Sequence, residues 1–142
     1  NINGKTISVL GLAFKANTDD IRYSPALMII PELIKNGAKI NAFDPEAQEN
    51  AHNALKDRKS VNWAEGSYDA VKGTDCLVIV TEGDEFKDLD LEKVKNLMNT
   101  PVVVDLRNIF ESERMEALGF DYYPLGKKPV KFDRADVVEI KA

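Results

Sequence analysis

One cysteine, one histidine and one tryptophan are all that this 142-residue chain holds of those residue types. The lone Cys76 excludes an internal disulfide, so a reducing cytoplasm is the expected setting. The lone His52 has no Cys or His partner at metal-ligand spacing, so no metal site is expected and a surface position is its default. No apolar run approaches the roughly 20 residues that span a bilayer, and no signal peptide is read, so no membrane association is expected. Basic runs are missing as well. Lys+Arg 19 against Asp+Glu 24 gives a net charge of −5, which disfavours nucleic acid, because non-specific affinity comes from neutralising phosphates. The chain opens Asn1-Ile2-Asn3-Gly4 with no initiator Met, and the expectation is that it is a piece of something longer.

What is present is globular. An apolar fraction of 44% and a charged fraction of 30%, at this length, suit one ordinary domain with a single core. After a turn at Asn3-Gly4, Ile7–Leu10 is short, β-branched and apolar, as a strand covered on both faces must be. Ser24-Pro25 reads as N-cap and first helical residue; Leu27, Ile30, Leu33 and Ile34 recur at helical spacing, and Asn36-Gly37 stops the helix. Pro31 inside it removes a hydrogen bond at a cost of about 3 kcal/mol, which predicts a kink or loosened turn over Leu27–Pro31. Further on, the pattern predicts strands at Lys39–Phe43, Ser60–Trp63, Cys76–Val80, Pro101–Asp105 and Phe120–Tyr123. It places helices from Asp44-Pro45 to about Leu55, from Ser67 or Tyr68 to Lys72, over Leu91–Met98 and over Ser112–Leu118. Strands that alternate with helices and lack polar alternation mean an α/β fold. We expect a Rossmann-like, doubly wound, mainly parallel sheet with helices on both faces. The charged stretch from Pro124 lacks periodicity, so it is expected to wrap the surface or fray.

In such sheets ligands bind outside the carboxyl ends of the strands, near the point where strand order reverses. Lys15 and Arg22 follow the first strand, and Arg107 follows the strand ending at Asp105. With the usual order one strand separates these ends, a gap of roughly 10 Å that long cationic side chains can close over one diphosphate or carboxylate. The start of the Ser24 helix would add dipole attraction for the same anion. The plainer reading is that Lys15 and Arg22, among Asp19 and Asp20, sit in a solvated turn held by local pairs, and that Arg107 simply pairs with Asp105.

A dinucleotide site is the obvious rival, and it needs G-x-G-x-x-G. The turn here reads Gly11-Leu12-Ala13-Phe14-Lys15, one glycine of three. Asp44 holds the place of a ribose-binding acid, but Asp44-Pro45-Glu46 is better read as a helix cap. NAD in its usual pose is therefore disfavoured. Cys76 opens the most apolar strand and reads as a packed thiol rather than a nucleophile. The acidic run Glu82–Asp90 lacks the spacing of a calcium loop. No catalytic residue is found in this fragment.

The stretch Val9-Leu-Gly-Leu-Ala-Phe-Lys-Ala-Asn-Thr-Asp-Asp-Ile-Arg-Tyr-Ser-Pro-Ala26 is specific. So, in order, are Ala42-Phe-Asp-Pro45, Thr74-Asp-Cys-Leu-Val-Ile-Val-Thr-Glu82, Asp84-Glu-Phe86, Val104-Asp-Leu-Arg-Asn108, and Gly119-Phe-Asp-Tyr-Tyr123 followed by Leu125-Gly126. Together they resemble the C-terminal domain of the UDP-glucose/GDP-mannose dehydrogenase family, and the resemblance runs to about Gly126. It implies residues 1–126 as a UDP-sugar-binding domain and 127–142 as its tail. Full-length members oxidise the C6 hydroxyl of a nucleotide sugar to a carboxylate in two NAD-dependent steps, through a thioester on a Cys. The NAD-binding domain and that Cys lie upstream, and Cys76 does not match it. The resemblance further implies a homodimer or higher oligomer. Phe14 and Lys15 match residues that contact the UDP-sugar, Arg107 an arginine that reaches the partner subunit's substrate, and Arg22 an arginine that contacts NAD. The chain departs from many members at Gly83, where they have Trp, and at Leu106, where they have Gly; a side chain at Leu106 is expected to crowd the turn that aims Arg107.

The leading expectation is thus the nucleotide-sugar-binding domain of a UDP-glucose 6-dehydrogenase, inactive without the rest. The alternatives are the same domain of a GDP-mannose or UDP-N-acetyl-hexosamine dehydrogenase, or a stand-alone nucleotide-binding module.

Overall fold

A computed structural model describes residues 1–56 and 58–132. In chain order they form β1 (Thr6–Leu10), α1 (Ala26–Lys35), β2 (Lys39–Phe43), α2 (Gln48–Ala54), β3 (Val61–Trp63), α3 (Ser67–Val71) and β4 (Cys76–Ile79). There follow α4 (Asp84–Lys87), α5 (Leu91–Leu97), β5 (Val102–Asp105), α6 (Ser112–Leu118) and β6 (Asp121–Pro124). The strands make one six-stranded sheet in the order β3-β2-β1-β4-β5-β6. Every strand pair is parallel, in register Leu10↔Phe43 and Leu10↔Ile79 on either side of β1 and Ile79↔Asp105 beyond. The order reverses between β1 and β4, so the carboxyl end of β1 stands at the switch point. β4 alone separates β1 from β5, as the sequence led one to expect.

Alternate residues of each strand face opposite sides, and the core divides accordingly. Ile7, Val9, Ile40, Ala42, Val78 and Val80 pack with Ala26, Ile30 and Ala51 of α1 and α2. Leu10, Leu77, Ile79 and Val103 pack with Val71, Val94 and Met115 of α3, α5 and α6. Leu10, Leu77 and Ile79 are fully buried, each worth about 1.5–3 kcal/mol against exposure. Ser8 is buried too, and donates to the Cys76 carbonyl at 3.1 Å, so its hydroxyl is not left orphaned.

Differences from the expected elements have physical causes. α1 continues unbroken through Pro31 to Lys35, so the loosened turn expected there does not interrupt it. The apolar face of the helix, with Ala26 and Ile30 fully buried, holds the turn that lacks one hydrogen bond. Its start falls one residue later than read: Pro25, with helical angles (φ −58°, ψ −28°), holds the N-cap position and Ala26 begins the helix, although Ser24 Oγ accepts from the Ala26 amide at 3.3 Å. α2 begins only at Gln48, since residues 45–47 turn first. α4 has four residues, too few to show a helical period, and was not foreseen. Beyond β6 the chain folds back, and Tyr122 and Val130 exchange amide–carbonyl bonds of 2.7 and 2.8 Å as one antiparallel bridge. The rest of the expected tail, 133–142, lies outside the described residues.

Candidate functional site

The loop from Gly11 to Ser24 carries most of the candidate residues, and the fold fastens it at several points. Gly11 has φ +98°, and a Cβ there would lie 2.6 Å from the Thr81 amide nitrogen; only glycine lets β1 end this close to β4. Thr81 Oγ1 donates to the Ala13 carbonyl at 2.8 Å. The Phe14 amide donates to the Asp20 carbonyl at 3.0 Å, closing 14–20 into a compact loop. Asn50 of α2 donates through Nδ2 to the Asp19 carbonyl at 2.9 Å.

The most consequential fastening is Asp44, only 6% exposed at the end of β2. Its Oδ2 accepts from the amides of Leu12 (2.7 Å) and Ala13 (3.3 Å). Its Oδ1 accepts from Glu46 and Ala47, both at 2.8 Å. The expected helix cap is corrected here: Asp44 caps the turn 45–47, while α2 starts at Gln48 with Ala47 at its N-cap and no side-chain acceptor there. The amides of the β1 turn, which in a dinucleotide fold face the pyrophosphate, are here satisfied by a carboxylate of the chain itself. That carboxylate has no lone pair directed at a ribose. A dinucleotide in the usual pose does not fit this turn.

With its amides turned inward, the loop presents side chains outward. Phe14, Lys15, Ala16, Thr18, Asp20, Arg22 and Tyr23 line a cavity of about 470 Å³, within the range of small-molecule sites. Phe14 is 42% exposed, so part of its ring faces the cavity and is open to contact. Asp20 and Arg22 form a bidentate pair, Nε to Oδ1 at 3.0 Å and a terminal nitrogen to Oδ2 at 2.8 Å. The Arg22 side-chain bond, more than its charge, draws the Asp20 carboxyl down to about 2, while Asp20 raises Arg22 in return. The expected local pairing is thus real for Arg22, and it coexists with the cavity.

The cavity gathers Phe14, Lys15 and Arg22 but not Arg107. That residue sits past β5, its guanidinium paired with Glu82 beyond β4 rather than with Asp105; both partners are about one-third exposed (33% and 35%). The simple pairing with Asp105 is corrected here, because Asp105 is fully buried and otherwise engaged. It accepts from the backbone amides of Arg107 (3.0 Å), Ile109 (2.9 Å) and Phe110 (3.2 Å) and from the Tyr122 hydroxyl (2.6 Å). Burial first, and then this hydrogen bond, push the Tyr122 hydroxyl far above its usual range. Leu106, partly buried, packs against the core on the α1–α2 side, and the left-handed turn falls on Asn108 (φ +54°).

Cys76 lies at the amino end of β4, across the sheet from the cavity, and burial pushes its thiol up to about 11, with Asp75 adding to the shift. A thiol so held is protonated at neutral pH and is no nucleophile. His52 is exposed and stacks on Trp63 at 4.9 Å. Among the described residues, no group of three His, Cys, Asp or Glu side chains is placed to hold a metal, and no helix is long and apolar enough to cross a membrane. Sequence reading missed Tyr23, which has no local signal, and Glu82, whose link to Arg107 spans 25 positions.

Known proteins share this sequence and fold. Residues 8–112 match the family described as "UDP-glucose/GDP-mannose dehydrogenase family, UDP binding domain". A UDP-glucose 6-dehydrogenase of Bacillus subtilis is 44% identical over 131 residues, 92% of this chain and 28% of its own. One of Rickettsia conorii is 41% identical over 128 residues, 90% of this chain and 29% of its own. A solved structure of a UDP-D-ManNAc dehydrogenase from Pyrococcus horikoshii is similar with a TM-score of 0.69 at 29% identity, over 88% of this chain and 26% of that one. The chain spans under a third of the length of the curated relatives it matches.

Proposed function

Because the chain belongs to the UDP-glucose/GDP-mannose dehydrogenase family, we propose that it is the nucleotide-sugar-binding domain of an NAD-dependent UDP-glucose 6-dehydrogenase. Residues 1–126 form the binding unit and 127–142 its tail. The domain contributes binding and orientation, and the oxidation of C6 takes place on groups supplied by the rest of the protein. NAD, when bound, supplies the hydride acceptor and is held mainly by another domain. Within this chain Arg22 fits only an edge contact to it, since the β1 turn amides are taken by Asp44.

One observation carries the reading: a turn whose amides are closed by an internal carboxylate sets Phe14 and Lys15 outward around one cavity at the sheet's switch point. Phe14 gives an apolar face for the nucleotide, and Lys15 a point charge for its diphosphate. Arg107, steadied by Glu82, reaches outward for the substrate of a second subunit, so the working protein is a homodimer or larger. The likeness to the Pyrococcus enzyme, at 29% identity, keeps a UDP-N-acetyl-hexosamine as the second substrate reading, and assay of the intact protein across nucleotide sugars separates the two.

Calorimetry with UDP and UDP-glucuronate on the intact protein, with and without Lys15→Ala, is the direct check. Loss of one charge-assisted contact should weaken UDP about tenfold, or ~1.4 kcal/mol. Unchanged affinity removes Lys15 from the site.

A further inference from the structure

Tyr23 stands apart from every other residue of the cavity. It is 91% exposed, so its ring gives the fold almost no burial. Its backbone is left-handed, φ +60°, in a turn closed by the Ser24 amide on the Ile21 carbonyl at 3.1 Å. The third position of such a turn favours glycine or asparagine, and a bulky aromatic there is strained. Among the described residues its side chain has no hydrogen-bond or ring partner. A residue that strains the backbone and buries nothing is held for something outside the fold.

We propose that Tyr23 is a stacking platform for the base of a phosphorylated nucleoside bound in the cavity. It follows Arg22, whose guanidinium is fixed by Asp20, and shares the cavity with Lys15 and Phe14. The combination of cations for phosphate and exposed rings for a flat heterocycle is the chemistry a nucleotide needs. The left-handed turn has a use in this role, because the ring it carries stays open to solvent at the cavity. The base is the uracil of a nucleotide sugar or a ring of NAD. The inference rests on the functional reading above, and it makes Tyr23 a binding residue.

The test uses Tyr23→Gly and Tyr23→Phe in the intact protein, titrated with UDP, with NAD and with pyrophosphate, beside Lys15→Ala. Tyr23→Gly should lose about fivefold or more in affinity for one nucleotide, the weak end of base stacking on an aromatic ring, and Tyr23→Phe should retain it. Pyrophosphate, having no base, should bind both variants as it binds the wild type. A loss confined to UDP assigns uracil, and one confined to NAD assigns the dinucleotide. The intact protein should unfold at an equal or higher temperature with Tyr23→Asn, since asparagine suits the left-handed turn without glycine's added backbone freedom; a lower temperature shows that the ring supports the fold, and overturns the argument. Unchanged nucleotide affinities with Lys15→Ala still defective overturn the role of Tyr23 alone. If Lys15→Ala is also without effect, the reading of the cavity falls, and this inference with it.

Discussion

Arg22 reaches the cavity already committed to Asp20. Arg22 is largely exposed and Asp20 partly so, so salt and solvent screen the pair and its use is orientation: the guanidinium is directed by Asp20 on a loop that has no glycine after Gly11. The carboxyl reports on this directly. Its folded-state pKa of about 2 lies below the ordinary 3.8. Any support it gives the loop is therefore complete above the ordinary value and is lost as pH falls through about 2. An NMR titration of the Asp20 side-chain carbon should show a midpoint near 2, returning toward 3.8 in Arg22→Ala. A wild-type midpoint already at the ordinary value would mean that the fork is not formed in solution. This pairing was legible in the sequence, because Asp20 and Arg22 are two positions apart and both lie in one turn. Tyr23 beside them was not, since nothing in its side chain announces a left-handed backbone.

Elements here are joined by buried carboxylates at strand ends. Asp44 follows the last residue of β2 and Asp105 ends β5, and each binds the backbone of the loop after it: Asp44 takes four amides, Asp105 three amides and a hydroxyl. Asp44 alone also ties down a second loop, the one after β1. Removing its carboxylate should therefore do two things. Asp44→Ala leaves buried amides without acceptors and should cost about 3 kcal/mol or more in a urea denaturation. It should also weaken UDP binding in the intact protein, because Phe14 and Lys15 lose the anchor just before them. A variant destabilised by that amount with undiminished UDP affinity would show the anchor to be irrelevant to the site. The strands beside these carboxylates were readable from apolar runs, whereas Asp44-Pro45 was misread as the α2 cap because the turn 45–47 comes between them. The bonds from Asp44 to Leu12 and Ala13 were not, for they cross 31 and 32 positions and depend on β1 and β2 lying side by side. The expected pairing of Arg107 with Asp105 failed for the same reason. A partner two residues away is visible in a sequence, whereas Glu82 becomes its neighbour only when β4 and β5 pair.

At the scale of the whole molecule the candidate residues fall into two groups along one edge of the sheet. Phe14, Lys15, Arg22 and Tyr23 share the cavity past β1, and Arg107 stands past β5 outside it, held by Glu82. Arg107 is thus not among the residues that line the cavity. On the proposed reading the second group completes the site of a neighbouring subunit, and symmetry makes the arrangement reciprocal. This has a consequence that a self-contained site lacks. Lys15→Ala and Arg107→Ala should each depress the activity of the intact protein. When the two variants are co-expressed or mixed through a dissociation step, each mixed dimer holds one site with both residues altered and one with neither. Random pairing makes about half of the dimers mixed, with one sound site in each, so activity should recover to about a quarter of wild type. If Arg107 instead serves the cavity of its own chain, every site in every mixture keeps one defect and no recovery occurs. Steady-state rates across a series of mixing ratios decide between the two, because recovery should peak at equal amounts and vanish at either end.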